Sequence, residues 1–70
     1  MKTIQTAKRV VTVRWIFRDL SRACSFAYGP GSNKNSTVVM GDAGEYWVVS
    51  MADAARLEKV GYEFAPIVSF

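Results

Sequence analysis

Histidine is absent from this chain, and cysteine occurs once, at Cys24. Without histidine there is no Ser–His or Cys–His nucleophile pair, no mixed zinc site of the usual kind and none of the commonest general base. One cysteine rules out an internal disulfide and a thiolate metal cluster. A small secreted domain normally needs several such staples, so the expected compartment is a reducing cytoplasm. With no base beside it, the Cys24 thiol stays mostly protonated at neutral pH, and its expected role is that of a small buried hydrophobe. Long apolar runs are also missing. Residues 1–13 carry Lys2, Lys8 and Arg9 but no apolar stretch of roughly 7–15 residues, so no export signal is expected. Further on, the longest apolar stretches are interrupted by Arg14 and Arg18 and fall far short of the roughly 18 residues that span a bilayer, so a membrane protein is not expected. The sequon Asn35-Ser36-Thr37 has no meaning without secretion.

What is present is core material. Half of the 70 residues are hydrophobic and nine are aromatic, each aromatic able to bury roughly 150–250 Å². That richness, with a net charge of only +3, argues against disorder. A chain of this length forms one domain, residues 1–70, and buries only about 60% of its unfolded surface.

Local signals give an α+β fold, a small antiparallel sheet of about three strands packed against one or two α-helices. Ser50, with Asp53 at capping-box spacing and Gly61 at the far end, predicts a helix over 51–60. Met51, Ala54, Leu57 and Val60 recur on one side of it, and Arg56 and Lys59 lie on the other. The runs Thr37–Met40 and Tyr46–Val49 flank Gly41-Asp42-Ala43-Gly44 and read as a hairpin. Both runs are apolar on both faces, which favours a central position over a face kept for a partner. Gly29–Asn35 is a loop by composition, with Cys24–Tyr28 a candidate strand feeding it. Tyr62–Ala65 reads as extended, confined by Pro66 to an edge or a strand end, and Ile67–Phe70 as a docked hydrophobic tail. In the first third, Val11, Val13, Trp15 and Phe17 alternate as in a strand, whereas Asp19–Ser25 favours helix. The expectation is a short strand followed by a helix.

Charge is divided unevenly. Residues 1–40 hold Lys2, Lys8, Arg9, Arg14, Arg18, Arg22 and Lys34 against Asp19 alone, a net of +6. Residues 41–70 hold Asp42, Glu45, Asp53, Glu58 and Glu63 against Arg56 and Lys59, a net of −3. Arg14, Arg18 and Arg22, spaced by four, share a side in a helix and in a strand alike. They form a candidate phosphate-contacting face, with Trp15 or Tyr28 available to stack on bases.

Catalytic and cofactor motifs do not emerge. Asp42 and Glu45 are the only close carboxylate pair, and a solvated turn offers neither the cleft nor the raised pKa of glycosidase chemistry. The Gly29–Thr37 loop lacks the spacing of a phosphate loop, and Pro30 has no N–H to donate. Gly41–Gly44 has a GxxG outline but joins strands and carries an acid that repels phosphate. The expectation is a protein that is not an enzyme, with no cofactor and no metal.

The segment Tyr46-Trp47-Val48-Val49-Ser50, running into Ala52-Asp53-Ala54-Ala55-Arg56-Leu57-Glu58-Lys59-Val60-Gly61-Tyr62, resembles the carboxy-terminal half of small accessory proteins of bacteriophages and prophages. The anti-CRISPR proteins are among these. The resemblance covers roughly residues 36–65 and transfers no catalytic or binding residue. It implies a stoichiometric inhibitor in the cytoplasm of a bacterial host that binds a Cas effector subunit and blocks its nucleic-acid-binding surface. Physically, such an inhibitor presents carboxylates where DNA presents phosphates, and Asp42, Glu45, Asp53, Glu58 and Glu63 are the candidates. The alternative is a small basic nucleic-acid-binding module using Arg14, Arg18 and Arg22. Either is compatible with a monomer or a homodimer.

Overall fold

The chain alternates short strands with two helices of equal length. The computed structural model describes residues 2–7, 9–29 and 35–66. Strands β1 (Lys2–Gln5) and β2 (Val10–Val13) form an antiparallel hairpin. After Arg14 the chain passes into β3 (Trp15–Phe17) and then α1 (Leu20–Tyr28). Strands β4 (Ser36–Met40) and β5 (Tyr46–Ser50) flank a 3₁₀ turn at Asp42–Gly44, and α2 (Met51–Lys59) and β6 (Glu63–Phe64) complete the fold. The main sheet is antiparallel in the order β3-β5-β4-β6. The α+β class therefore holds, with a four-stranded sheet, a separate two-stranded hairpin and two helices.

The sheet is covered on both faces, and the period-two alternation of β4 and β5 assigns each residue its side. Val38 and Val48 join Ala23, Cys24, Ala27 and Ala65 under α1, with Phe17, Leu20, Met40 and Tyr46 around them. Val39, Trp47 and Val49 join Ala54 and Leu57 of α2 and Val11 and Val13 of the hairpin, with Ile4, Ile16 and Tyr62 packed alongside. The doubly apolar central strands thus serve burial on both sides. Cys24 is fully buried, as its lack of a basic neighbour suggested.

Helix α2 begins and ends as its sequence predicts. Ser50 Oγ accepts the Asp53 N–H at 3.1 Å. At the other end Gly61 takes φ +109°, and the Gly61 and Tyr62 N–H groups donate to Glu58 and Leu57 carbonyls, the Schellman pattern that satisfies orphan acceptors. Of the four residues expected to line its inner side, Ala54 and Leu57 are fully buried, but Met51 and Val60 are exposed because they sit at the helix ends, beyond the sheet. β6 is an edge strand just before Pro66, as proline requires.

One expectation is corrected and one element is new. Cys24–Tyr28 is not a strand: α1 runs through to Tyr28. Asp19 Oδ1 caps α1 by accepting the Ser21 N–H at 3.0 Å, and the small side chains Ala23, Cys24 and Ala27 let the helix lie close on the sheet. The short strand expected here is present as β2, but β1 and its pairing with β2 were not anticipated. The Ile67–Phe70 tail and most of the Gly29–Asn35 loop lie outside the described residues.

Candidate binding surface

β3 is the open edge of the main sheet, and its register sets which way its side chains go. Trp15 lies opposite Val48 and Phe17 opposite Tyr46, so both project to the α1 side, whereas Ile16 lies opposite Trp47 and enters the α2-side core. On α1, Phe26 falls outside the buried stripe and leans over this edge. Its ring centroid is 5.0 Å from that of Trp15 and 5.4 Å from that of Phe17, both tilted. The three rings form one ridge, and its outer members stay open, with Trp15 51% and Phe26 44% exposed.

Arg22 is the arginine beside this ridge, whereas Arg18 has the parity of Ile16 and lies toward Glu45, whose carboxyl it helps to lower. Arg14 and Arg18 flank β3 at its two ends, and Arg22 sits one helical turn before Phe26, on the same side of α1. All three are exposed. Arg22 has a loose contact of 3.9 Å with Asp19, both side chains largely in solvent, a pairing worth little in water. Arg14 and Arg18 make no ion pair among the described residues. The chain switches from strand to helix at Asp19, so no single period relates the three arginines. Arg22 shares the Phe26 side of α1, while Arg18 lies toward Glu45 on the other face of the sheet.

Two other aromatics from the sequence reading are committed elsewhere. The Tyr28 hydroxyl is hydrogen-bonded to Thr37 Oγ1 at 2.7 Å and accepts the Val38 N–H at 3.2 Å, tying α1 to β4. Trp47 is fully buried. Phe26 was not singled out from the sequence. The signal that would have found it is the Asp19 cap, which sets a helical phase placing residue 26 beside the Ala23 and Ala27 stripe rather than on it.

Two of the five acidic candidates, Glu45 and Asp53, are already paired within the fold. Glu45 is not a solvated turn residue. Its side chain, 12% exposed, takes a 2.7 Å ion pair from Lys2 and a 3.1 Å hydrogen bond from Trp47 Nε1. The Lys2 ammonium lies 5.5 Å from the centroid of the Trp47 ring, a cation–π distance. Asp53 is paired with Arg56 at 2.8 Å. Asp42 accepts the Tyr62 hydroxyl at 3.3 Å, while Glu58 on α2 and Glu63 on β6 are exposed. Because Lys2 folds onto Glu45, the division of charge along the chain is not a division in space at this end of the molecule. Among the described residues no group of three or more His, Cys, Asp or Glu side chains could hold a metal ion, and no helix is long and apolar enough to cross a membrane.

The Lys2–Glu45 contact carries a pH prediction. The hydrogen bond from Lys2 first, and that from Trp47 second, hold the Glu45 carboxyl below its ordinary value of 4.5. The same contact raises Lys2 above 10.5. A depressed carboxylate contributes stability that is present above its unfolded value and is lost as pH falls through the folded one. Melting temperature should therefore decline below about pH 4.5. Glu45→Gln should lower stability at neutral pH and flatten that acid limb by up to about one proton, as read by thermal melts across pH. An unchanged acid slope in the variant would remove Glu45 from the explanation.

Comparison with protein-family models, curated proteins and solved structures yields no match.

Proposed function

We propose that this protein acts by binding, without turnover, and that its partner is a nucleic acid held on the β3–α1 surface. The observation that carries the reading is the half-exposed Trp15–Phe26 ridge with Arg22 one helical turn away and the exposed Arg14 and Arg18 at the ends of the same edge strand. Arginine is the side chain best suited to phosphate oxygens, through its forked planar donors. Nucleic-acid binding of this kind is driven by counterion release and is steeply salt-dependent.

The test is a salt titration of oligonucleotide binding by fluorescence anisotropy. Log affinity should fall linearly with log salt, and each of Arg14→Ala, Arg18→Ala and Arg22→Ala should remove about 0.7–0.9 from the slope. Binding that ignores salt, or slopes unmoved in all three variants, would sink the reading.

A second reading keeps the phage resemblance: an anti-CRISPR-type inhibitor in a bacterial cytoplasm that covers the nucleic-acid-binding surface of a Cas effector subunit. The exposed acids Glu58 and Glu63, with Asp42 at the turn, favour it. So does the pairing of Trp with Arg at an exposed edge, since both types are enriched among protein-interface anchors. Glu45 and Asp53 are already neutralised within the fold, so the acids that count for this reading are Asp42, Glu58 and Glu63. Reversing Asp42 and Glu58 to lysine should then abolish capture of a purified Cas effector. Retained capture retires the mimicry.

A further inference from the structure

Resting on the nucleic-acid reading, we infer that the β3–α1 surface takes single-stranded nucleic acid, with Trp15 and Phe26 as the stacking platform. In a duplex the faces of the bases are covered by their neighbours, so an exposed protein ring finds a π-face only on an unpaired base. Here the rings are open to solvent and braced from behind: Phe26 touches both Trp15 and Phe17, and Phe17 is itself half-buried against the α1-side core. A base stacking on Trp15 therefore meets a ring already held in place, with little side-chain freedom left to lose.

The start of α1 offers no phosphate site to either form, so the choice between them rests on the rings. The N-terminus of α1 is the element that would otherwise point backbone N–H groups at a phosphate. Asp19 occupies that position, accepting the Ser21 N–H and placing a carboxylate where a phosphate would sit. Arg22 stands one helical turn from Phe26, and Arg14 and Arg18 lie at the two ends of β3, where a flexible strand that bends round this edge can reach them. Sequence preference is expected to be slight, because every base has a π-face.

The experiment compares a single strand of roughly 12 nucleotides, within the usual site sizes, with a duplex of equal length, at about 0.15 M salt. The single strand should bind at least about tenfold more tightly, and Trp15→Ala should weaken it about 5- to 150-fold, the range for loss of one stacking ring. The duplex should be almost indifferent to that change. Tryptophan emission should be quenched on binding, and the signal belongs to Trp15 because Trp47 is buried. Trp15→Phe should keep the affinity and lose the quench, which separates stacking from misfolding. Equal binding of strand and duplex, with Trp15→Ala harmless, would overturn the single-strand inference and leave the arginine reading standing. No binding of either would overturn both.

Discussion

Trp47→Ala is expected to leave the protein largely unfolded at physiological temperature, whereas Trp15→Ala should melt within a few degrees of the wild type. Trp47 is the largest fully buried side chain and sits where three other parts of the chain converge on β5. Tyr62 packs on it at 5.0 Å, Lys2 lies over its ring, and its Nε1–H reaches Glu45. Removing a buried aromatic of this kind costs about 3–5 kcal/mol. A 70-residue chain has roughly 3.5–10 kcal/mol in total. The melting temperature should fall by roughly 12–40 °C, as followed by far-UV circular dichroism. Trp15 is half in solvent and braces only Phe26, so its loss should cost less than about 1 kcal/mol. The pair of variants separates the tryptophan of the core from the tryptophan of the surface. A Trp47→Ala protein that melts like the wild type would deny that the hairpin, β5 and the Tyr62 segment meet at this ring.

How much of this was legible in the sequence depends on how far apart the determining residues lie. Helix α2 was readable because its signals are local: Ser50 and Asp53 three residues apart, Gly61 at the end, and Ala54 and Leu57 between. The β4–β5 hairpin was readable for the same reason, from β-branched runs around Gly41–Gly44. Strand β1 was not. Its four residues, Lys2 to Gln5, contain one aliphatic side chain, and they are a strand because Val10–Val13 pairs with them. Cys24–Tyr28 misled because Phe26 and Tyr28 favour strands by propensity, while the stripe of Ala23, Cys24 and Ala27 against Val38 and Val48 decides for helix. At the candidate site, the three arginines and Trp15 were visible from the start, and Phe26 was not. The fate of Glu45 was beyond any local rule, since its ion-pair partner is 43 positions away.

Gly41→Ala should be strongly destabilising, and its cause should be traceable to one ring. Gly41 has φ −93° and ψ −157°, an extended conformation open to any residue, so backbone strain is not the issue. A Cβ built there falls 2.1 Å from Trp47 Cε2 and 2.4 Å from Nε1, against the fused edge of the indole. That ring cannot step aside: Glu45 holds its N–H, Tyr62 lies against it, and the Gly41 N–H is itself bonded to the Glu45 carbonyl at 2.8 Å. Overpacking of this kind costs about 1–3 kcal/mol, occasionally more. Gly44 and Gly61 differ in kind: a Cβ at either meets nothing, and the cost there comes from φ of +76° and +109°. The two mechanisms separate in a double-mutant cycle read by urea unfolding. In a Trp47→Leu background, which removes the clashing atoms while keeping an apolar side chain, Gly41→Ala should lose most of its cost, giving a coupling of about 1–3 kcal/mol. At Gly61, which does not touch the ring, the penalty for alanine should be the same in both backgrounds. If Gly41→Ala is equally harmful with and without the indole, then the turn's own backbone, and not its contact with Trp47, is what requires glycine there.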